Sequence, residues 1–180
     1  VNRQYLLSRL ADTHQVVYSN GAWFSWQRSS GACRLSSCNA KLTSDAGVQV
    51  ETPPRWLLRY EKVAVLDRLV LRLHARSLER HISRADADYV CMMFHPEFEP
   101  YLDHLRPGCL VYHAYDLFES TPGWTEVDDA REQRLLSKAD LVTTVTPFIA
   151  NRLLAKGAKS VHVIPNGVDV ELFSAARGQH

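Results

Sequence analysis

The chain has 180 residues, 46% hydrophobic and 23% charged, with eight Gly and eight Pro. That composition excludes disordered, collagen-like and disulfide-framework classes and allows one core in one domain. Lys and Arg number 21 against 20 Asp and Glu, a formal net charge of +1, so no overall field draws nucleic acid or an acidic polymer and no nucleic-acid partner is expected.

Residues 2–11 place Leu6, Leu7, Leu10 and Ala11 on one helical face behind Asn2 as N-cap, so the chain opens on a predicted helix. Residues 14–18 read as a short buried strand. About forty residues rich in Ser, Gly and Trp follow with no clear period, a long irregular insertion in which 47–52 reads as a strand stopped by Pro53 and Pro54. From 63 to about 84, Val63, Leu66, Val70, Leu73 and Ile82 recur at helical spacing, which predicts one long amphipathic helix; its His74 and His81, among arginines, read as a solvated basic face. Four apolar runs come next, at 89–94, 109–112, 141–145 and 161–164, with helical patterns between them at 98–105, 128–139 and 147–156. The last of these helices has Pro in its first turn and Gly157 just past its end.

Unbroken apolar runs indicate strands buried on both faces, so the expected fold is α/β, a Rossmann-like parallel sheet with helices on both faces. A Rossmann-like unit starts with a strand feeding a helix, whereas this chain starts at the helix, and a first strand is read as missing. No run approaches the roughly 20 residues that cross a bilayer, and no basic segment followed by an apolar one marks a signal peptide. Cys91 and Cys109 lie inside strand-like runs and read as buried thiols. Cys33 and Cys38 have no second Cys or His pair at zinc spacing, so no metal is expected, and reduced thiols favour a cytoplasmic location.

Ligands of open α/β sheets bind beyond the carboxyl ends of the strands, which directs attention to His95, His113 to Asp116, Thr146 and Asn166. His113 and Asp116, three residues apart, read either as an imidazole oriented by a carboxylate for acid–base work or as a backbone-bonded His beside a turn-capping Asp. Thr146 is either a cleft residue or the N-cap of the next helix. Trp23, Trp26, Trp56 and Trp124 offer either aromatic platforms for a sugar ring or packing for a long loop, with Trp124 nearest the strand-end cleft. Glycine-rich phosphate loops, nucleophile elbows, zinc helices and calcium loops are absent.

The segments Lys138-Ala139-Asp140-Leu141-Val142, Thr144-Val145-Thr146-Pro147 and Val161-His162-Val163-Ile164-Pro165-Asn166-Gly167-Val168-Asp169, with Phe173, resemble family 4 glycosyltransferases of GT-B fold. The opening Asn2-Arg3-Gln4-Tyr5-Leu6-Leu7, the Val111 to Asp116 segment and Pro122-Gly123 are similar to a bacterial subgroup linked to envelope and exopolysaccharide synthesis. The resemblance covers about two-thirds of the chain and implies an N-terminal, acceptor-side domain over 1–165, with 166–180 starting the crossover to a donor-binding domain. It implies transfer of a sugar, with retention, from a nucleotide-sugar onto a glycan or lipid-linked acceptor, without cofactor or metal, at the inner face of a membrane or in the cytoplasm. Peripheral membrane association is one option under it.

The roles it implies are His113 as the polar group nearest the reacting centre and Asp116 in support. Arg3, His95, Tyr115, Trp124 and Thr146 would line the cleft, and Asn166, Gly167 and Asp169 would serve the hinge. The family's paired glutamates, with seven residues between them, have no counterpart among the Glu of this chain, so the chain alone is expected to be inactive. A GT-B-like sugar-nucleotide epimerase and a non-catalytic α/β binding module are the alternatives.

Overall fold

The computed structural model of the chain describes residues 2–82 and 89–167. Helix α1 (Asn2–Ala11) leads to β1 (Val17–Ser19), β2 (Trp23–Phe24), α2 (Gly31–Leu35), β3 (Lys41–Asp45), β4 (Val48–Thr52) and β5 (Leu58–Arg59). The long helix α3 (Ala64–Ile82) follows, and then β6 (Val90–Met93), β7 (Cys109–Ala114), α4 (Glu126–Lys138), β8 (Leu141–Thr144), α5 (Pro147–Ala155) and β9 (His162–Val163). A 3-10 helix, Pro96–Asp103, replaces the predicted α-helix between β6 and β7, because Pro100 inside it removes a backbone donor.

The four unbroken apolar runs become a four-stranded parallel sheet of order β6-β7-β8-β9, with Met93 opposite Tyr112, Tyr112 opposite Val142, and Thr144 opposite Val163. Right-handed crossovers that always step in one direction put their helices on one face. There Leu71 and Ala75 of α3, Tyr101, Leu135 and Leu136 of α4, and Ile149 and Leu153 of α5 close over Leu110, Tyr112, Ala114 and Val142. Each such large side chain, fully buried, contributes about 1.5–3 kcal/mol. The opposite side is met by α1, whose Leu7 packs with Phe94 and Val48, flanked by Met92, Tyr18 and Tyr115. The α/β, Rossmann-like expectation is met, with helices on both sides.

The irregular insertion is more ordered than its sequence indicates. A two-residue turn, Ala46 and Gly47, both with positive φ (47° and 80°), joins β3 to β4 in an antiparallel hairpin, and β1 adds to β4 in parallel. A short parallel pair, β2 with β5, completes it. Among the described residues, β1 pairs only with β4 and β6 only with β7.

A buried polar chain ties these parts together. The Glu51 carboxylate accepts the Ser19 hydroxyl at 2.7 Å and lies 3.2 Å from His74 Nε2; His74 Nδ1 is 2.7 Å from the Tyr101 hydroxyl, which accepts the Ala22 N–H at 2.8 Å. His74 is therefore buried rather than solvated, because α3 turns Asp67, Leu71, His74 and Ala75 inward. The apolar positions that suggested the core stripe, Leu66 and Leu73 among them, face outward instead. The inward Asp67 holds the buried Arg59 guanidinium in a two-point ion pair.

The other expected helices form at Glu126–Lys138, capped by a Thr125–Asp128 box, and at Pro147–Ala155, ended by Gly157 at φ 105°. Cys33 is buried, whereas Cys91 and Cys109 are half-buried rather than fully inside; burial still pushes the Cys91 thiol up to about 11. Edge strand β6 explains its exposure, since one side of it has no neighbour among the described residues. No helix of the described residues is long and apolar enough to cross a membrane.

Candidate functional site

Strands β6, β7 and β8 deliver three short segments to one edge: Phe94-His95, Tyr115-Asp116 and Val145-Thr146. From there the aromatic groups build outward in contact. The Arg3 guanidinium of α1 lies over the Tyr115 ring, 5.1 Å from its centre. Tyr115 meets Phe118 edge to face at 5.3 Å, and Phe118 lies parallel to Trp124 at 6.4 Å. His95 presents its edge to Phe118 at 4.6 Å and to Trp124 at 6.5 Å. Four residues singled out in the sequence, Arg3, His95, Tyr115 and Trp124, thus form one cluster.

Three of them, His95, Tyr115 and Trp124, meet at Phe118, which is buried and which the sequence reading missed. The signal for it was present: a large aromatic two residues beyond Asp116, in a loop too short to bury it anywhere but at the sheet edge.

His95 caps the 3-10 helix, its Nδ1 accepting the Glu97 N–H at 3.1 Å. Burial pushes its pKa below the ordinary value, with the Glu97 charge opposing. Nδ1 as acceptor fixes the neutral tautomer, so the proton sits on Nε2 and His95 offers a hydrogen-bond donor.

Trp124 rests on a cationic support. Lys156 Nζ lies 5.5 Å from the centre of its indole and is held by Glu132 at 2.6 Å, Asp129 at 2.7 Å and Glu119 at 2.9 Å. Glu132 in turn accepts the Tyr112 hydroxyl at 2.8 Å from beneath. The Trp124 indole N–H is buried and makes no well-formed hydrogen bond; it is directed toward Asp129, a lesser influence than Lys156 on that lowered carboxylate.

His113 departs from expectation. Strand β7 continues to Ala114, so His113 lies within the sheet, 7% exposed, rather than emerging beyond it. Its Nδ1 is 2.8 Å from the hydroxyl of Thr143, its partner in register on β8, and Phe94 packs against the ring at 5.7 Å. Burial lowers its pKa, favouring the neutral ring, and only Nε2 is left for any chemistry. Asp116 does not orient it: exposed beyond the strand, its carboxylate accepts the adjacent Leu117 N–H at 2.8 Å, the turn-capping alternative.

Thr146 is exposed, and its hydroxyl accepts the Ile149 N–H at 3.3 Å as the N-cap of α5. Asn166 and Gly167 are exposed past β9, and Asp169 lies outside the described residues.

The edge therefore offers two aromatic rings, one positioned guanidinium and one imidazole N–H. This set can stack on a ring-shaped polyol and bond its hydroxyls or an anionic substituent.

No curated protein matches the sequence. A family described as Glycosyltransferase Family 4 matches residues 35–172, the stretch that runs from α2 through the whole parallel sheet and all three strand-end segments. The chain belongs to glycosyltransferase family 4.

Proposed function

We propose that this chain is the acceptor-side domain of a GT-B enzyme that moves a sugar, with retention, from a nucleotide-sugar to a glycan or lipid-linked acceptor of the bacterial envelope. The observation that carries this reading is the convergence of Arg3, His95, Tyr115 and Trp124 at the sheet edge of a family 4 domain. In it, Tyr115 and Trp124 stack on the acceptor, the His95 Nε2–H and Arg3 orient it, and Thr146 borders it. The reading keeps His113, packed against Phe94, as the neutral group that supplies its Nε2 to the reacting centre, with Asp116 holding the loop that follows.

Departure of a nucleoside diphosphate needs positive or hydrogen-bond-donating groups, which the reading assigns to a donor-binding domain reached through Asn166, Gly167 and Asp169.

Release of nucleoside diphosphate from nucleotide-sugars tests the proposal, comparing the chain alone with the chain joined to the sequence encoded downstream of His180. The expected result is release by the joined protein only, reduced about 10-fold or more by Tyr115→Ala or Arg3→Ala through lost acceptor binding. Turnover by the chain alone, or a downstream sequence that encodes no donor-binding domain, would overturn it.

A further inference from the structure

Helix α3 buries one stripe and leaves a second one unexplained. Val65, Leu66, Leu69 and Leu73 are 80%, 47%, 51% and 38% exposed, and Val63 and Tyr60 just before the helix are 47% and 39% exposed. At 100° per residue, Val65, Leu69 and Leu73 form a row four residues apart along the outer face. Beside it runs a second row at the same spacing, Arg68, Arg72, Arg76 and Arg80, all exposed, with Lys62 at the helix start.

None of these five cations meets a carboxylate in an ion pair among the described residues, whereas Arg59, Arg131, Arg134, Arg152 and Lys156 all do. The acids of the same stretch are engaged elsewhere: Asp67 inward with Arg59, and Glu79 with the Tyr89 hydroxyl.

An exposed apolar stripe needs a cover, and its neighbours indicate which. A second copy would bring two arginine rows together and be repelled. A flat, negatively charged, apolar-cored surface satisfies both rows, with leucines inserted below the headgroups and arginine stems extended along the interface. We infer that the outer face of α3 docks on the surface of an anionic lipid bilayer, through Val65, Leu69 and Leu73 together with Arg68, Arg72 and Arg76. The inference gives the lipid-linked acceptor of the proposed reaction a platform, but it stands on the surface alone.

Co-sedimentation of the chain with vesicles tests it without any transfer assay, so failure of the glycosyltransferase reading leaves the result interpretable. Binding is expected to vesicles containing phosphatidylglycerol, to be weak to phosphatidylcholine alone, and to fall with added salt. Leu69→Gln with Leu73→Gln, and separately Arg68→Gln with Arg72→Gln, should each weaken partitioning roughly tenfold or more. Both pairs are exposed, so the melting temperature should hold, which separates lost docking from lost folding. Equal sedimentation with neutral vesicles, none with anionic ones, unaltered binding by both double variants, or a doubled mass in sedimentation equilibrium that the leucine variant abolishes would each overturn the inference.

Discussion

Replacing Lys156 by Met keeps the aliphatic stem and removes the ammonium from three carboxylates at once. The side chain is 14% exposed, and its nearest partner, Glu132, is 3% exposed with the Tyr112 hydroxyl as its other contact. Breaking a buried pair by removing one partner costs about 3–5 kcal/mol. The opening to solvent on the Asp129 side moves the expectation to the low end, about 3 kcal/mol, or a fall in melting temperature of about 6–12 °C for a chain of this length.

Acid provides the internal control. Lys156 and Arg152 hold Glu119 below the usual carboxylate range, and Lys156 does the same for Asp129. Depressed carboxylate pKa values contribute stability that is present above the unfolded values, about 4, and is lost as pH falls below them. The Lys156 pKa is raised by these partners against the opposing effect of burial, so its own contribution is complete throughout this window. The gap between wild type and Lys156→Met should therefore narrow below about pH 4, read by urea or thermal unfolding at both pH values. A loss under about 1 kcal/mol at neutral pH, or a gap that acid leaves unchanged, would refute the reasoning.

Burial lowers the pKa of His95, His104 and His113, so folding is strongest above the unfolded value of about 6.5 and weakens as pH falls toward the lower folded values; a melting temperature that is flat or rises on acidification to about pH 5.5 would contradict this. Gly21 has φ +78°, and an added Cβ would lie 2.9 Å from the Phe98 ring, so Gly21→Ala should cost about 1–3 kcal/mol by denaturant unfolding. Thr143→Val removes the partner of the buried His113 Nδ1 and should cost about 1–3 kcal/mol, a loss that His113→Phe in the same background should partly restore.

The parallel sheet was readable because strands covered on both faces leave unbroken apolar runs, and Pro147 and Gly157 mark the two ends of α5. Helix α3 was readable in extent but not in orientation. Apolar spacing selected Leu66 and Leu73, while the core took in the polar Asp67 and His74, whose partners Arg59, Glu51 and Tyr101 all lie outside the helix. Side-chain pairing of that kind leaves no local period.

The same limit explains the site. Arg3, His95, Tyr115 and Trp124 could be found by their places after strands or at the chain's opening, but the end of β7 could not be fixed to within two residues. That difference decided whether His113 emerged or stayed inside.

In the larger sheet, each strand pairs with the strand that follows it in the chain. Every new pairing closes a loop of one crossover and no more, a modest entropic cost repeated in steps. This half of the protein is thus suited to assemble progressively while it is being synthesised, β7 docking on β6 before β8 has been made. Protease protection of ribosome-stalled chains of increasing length should then rise in steps, one for each completed crossover.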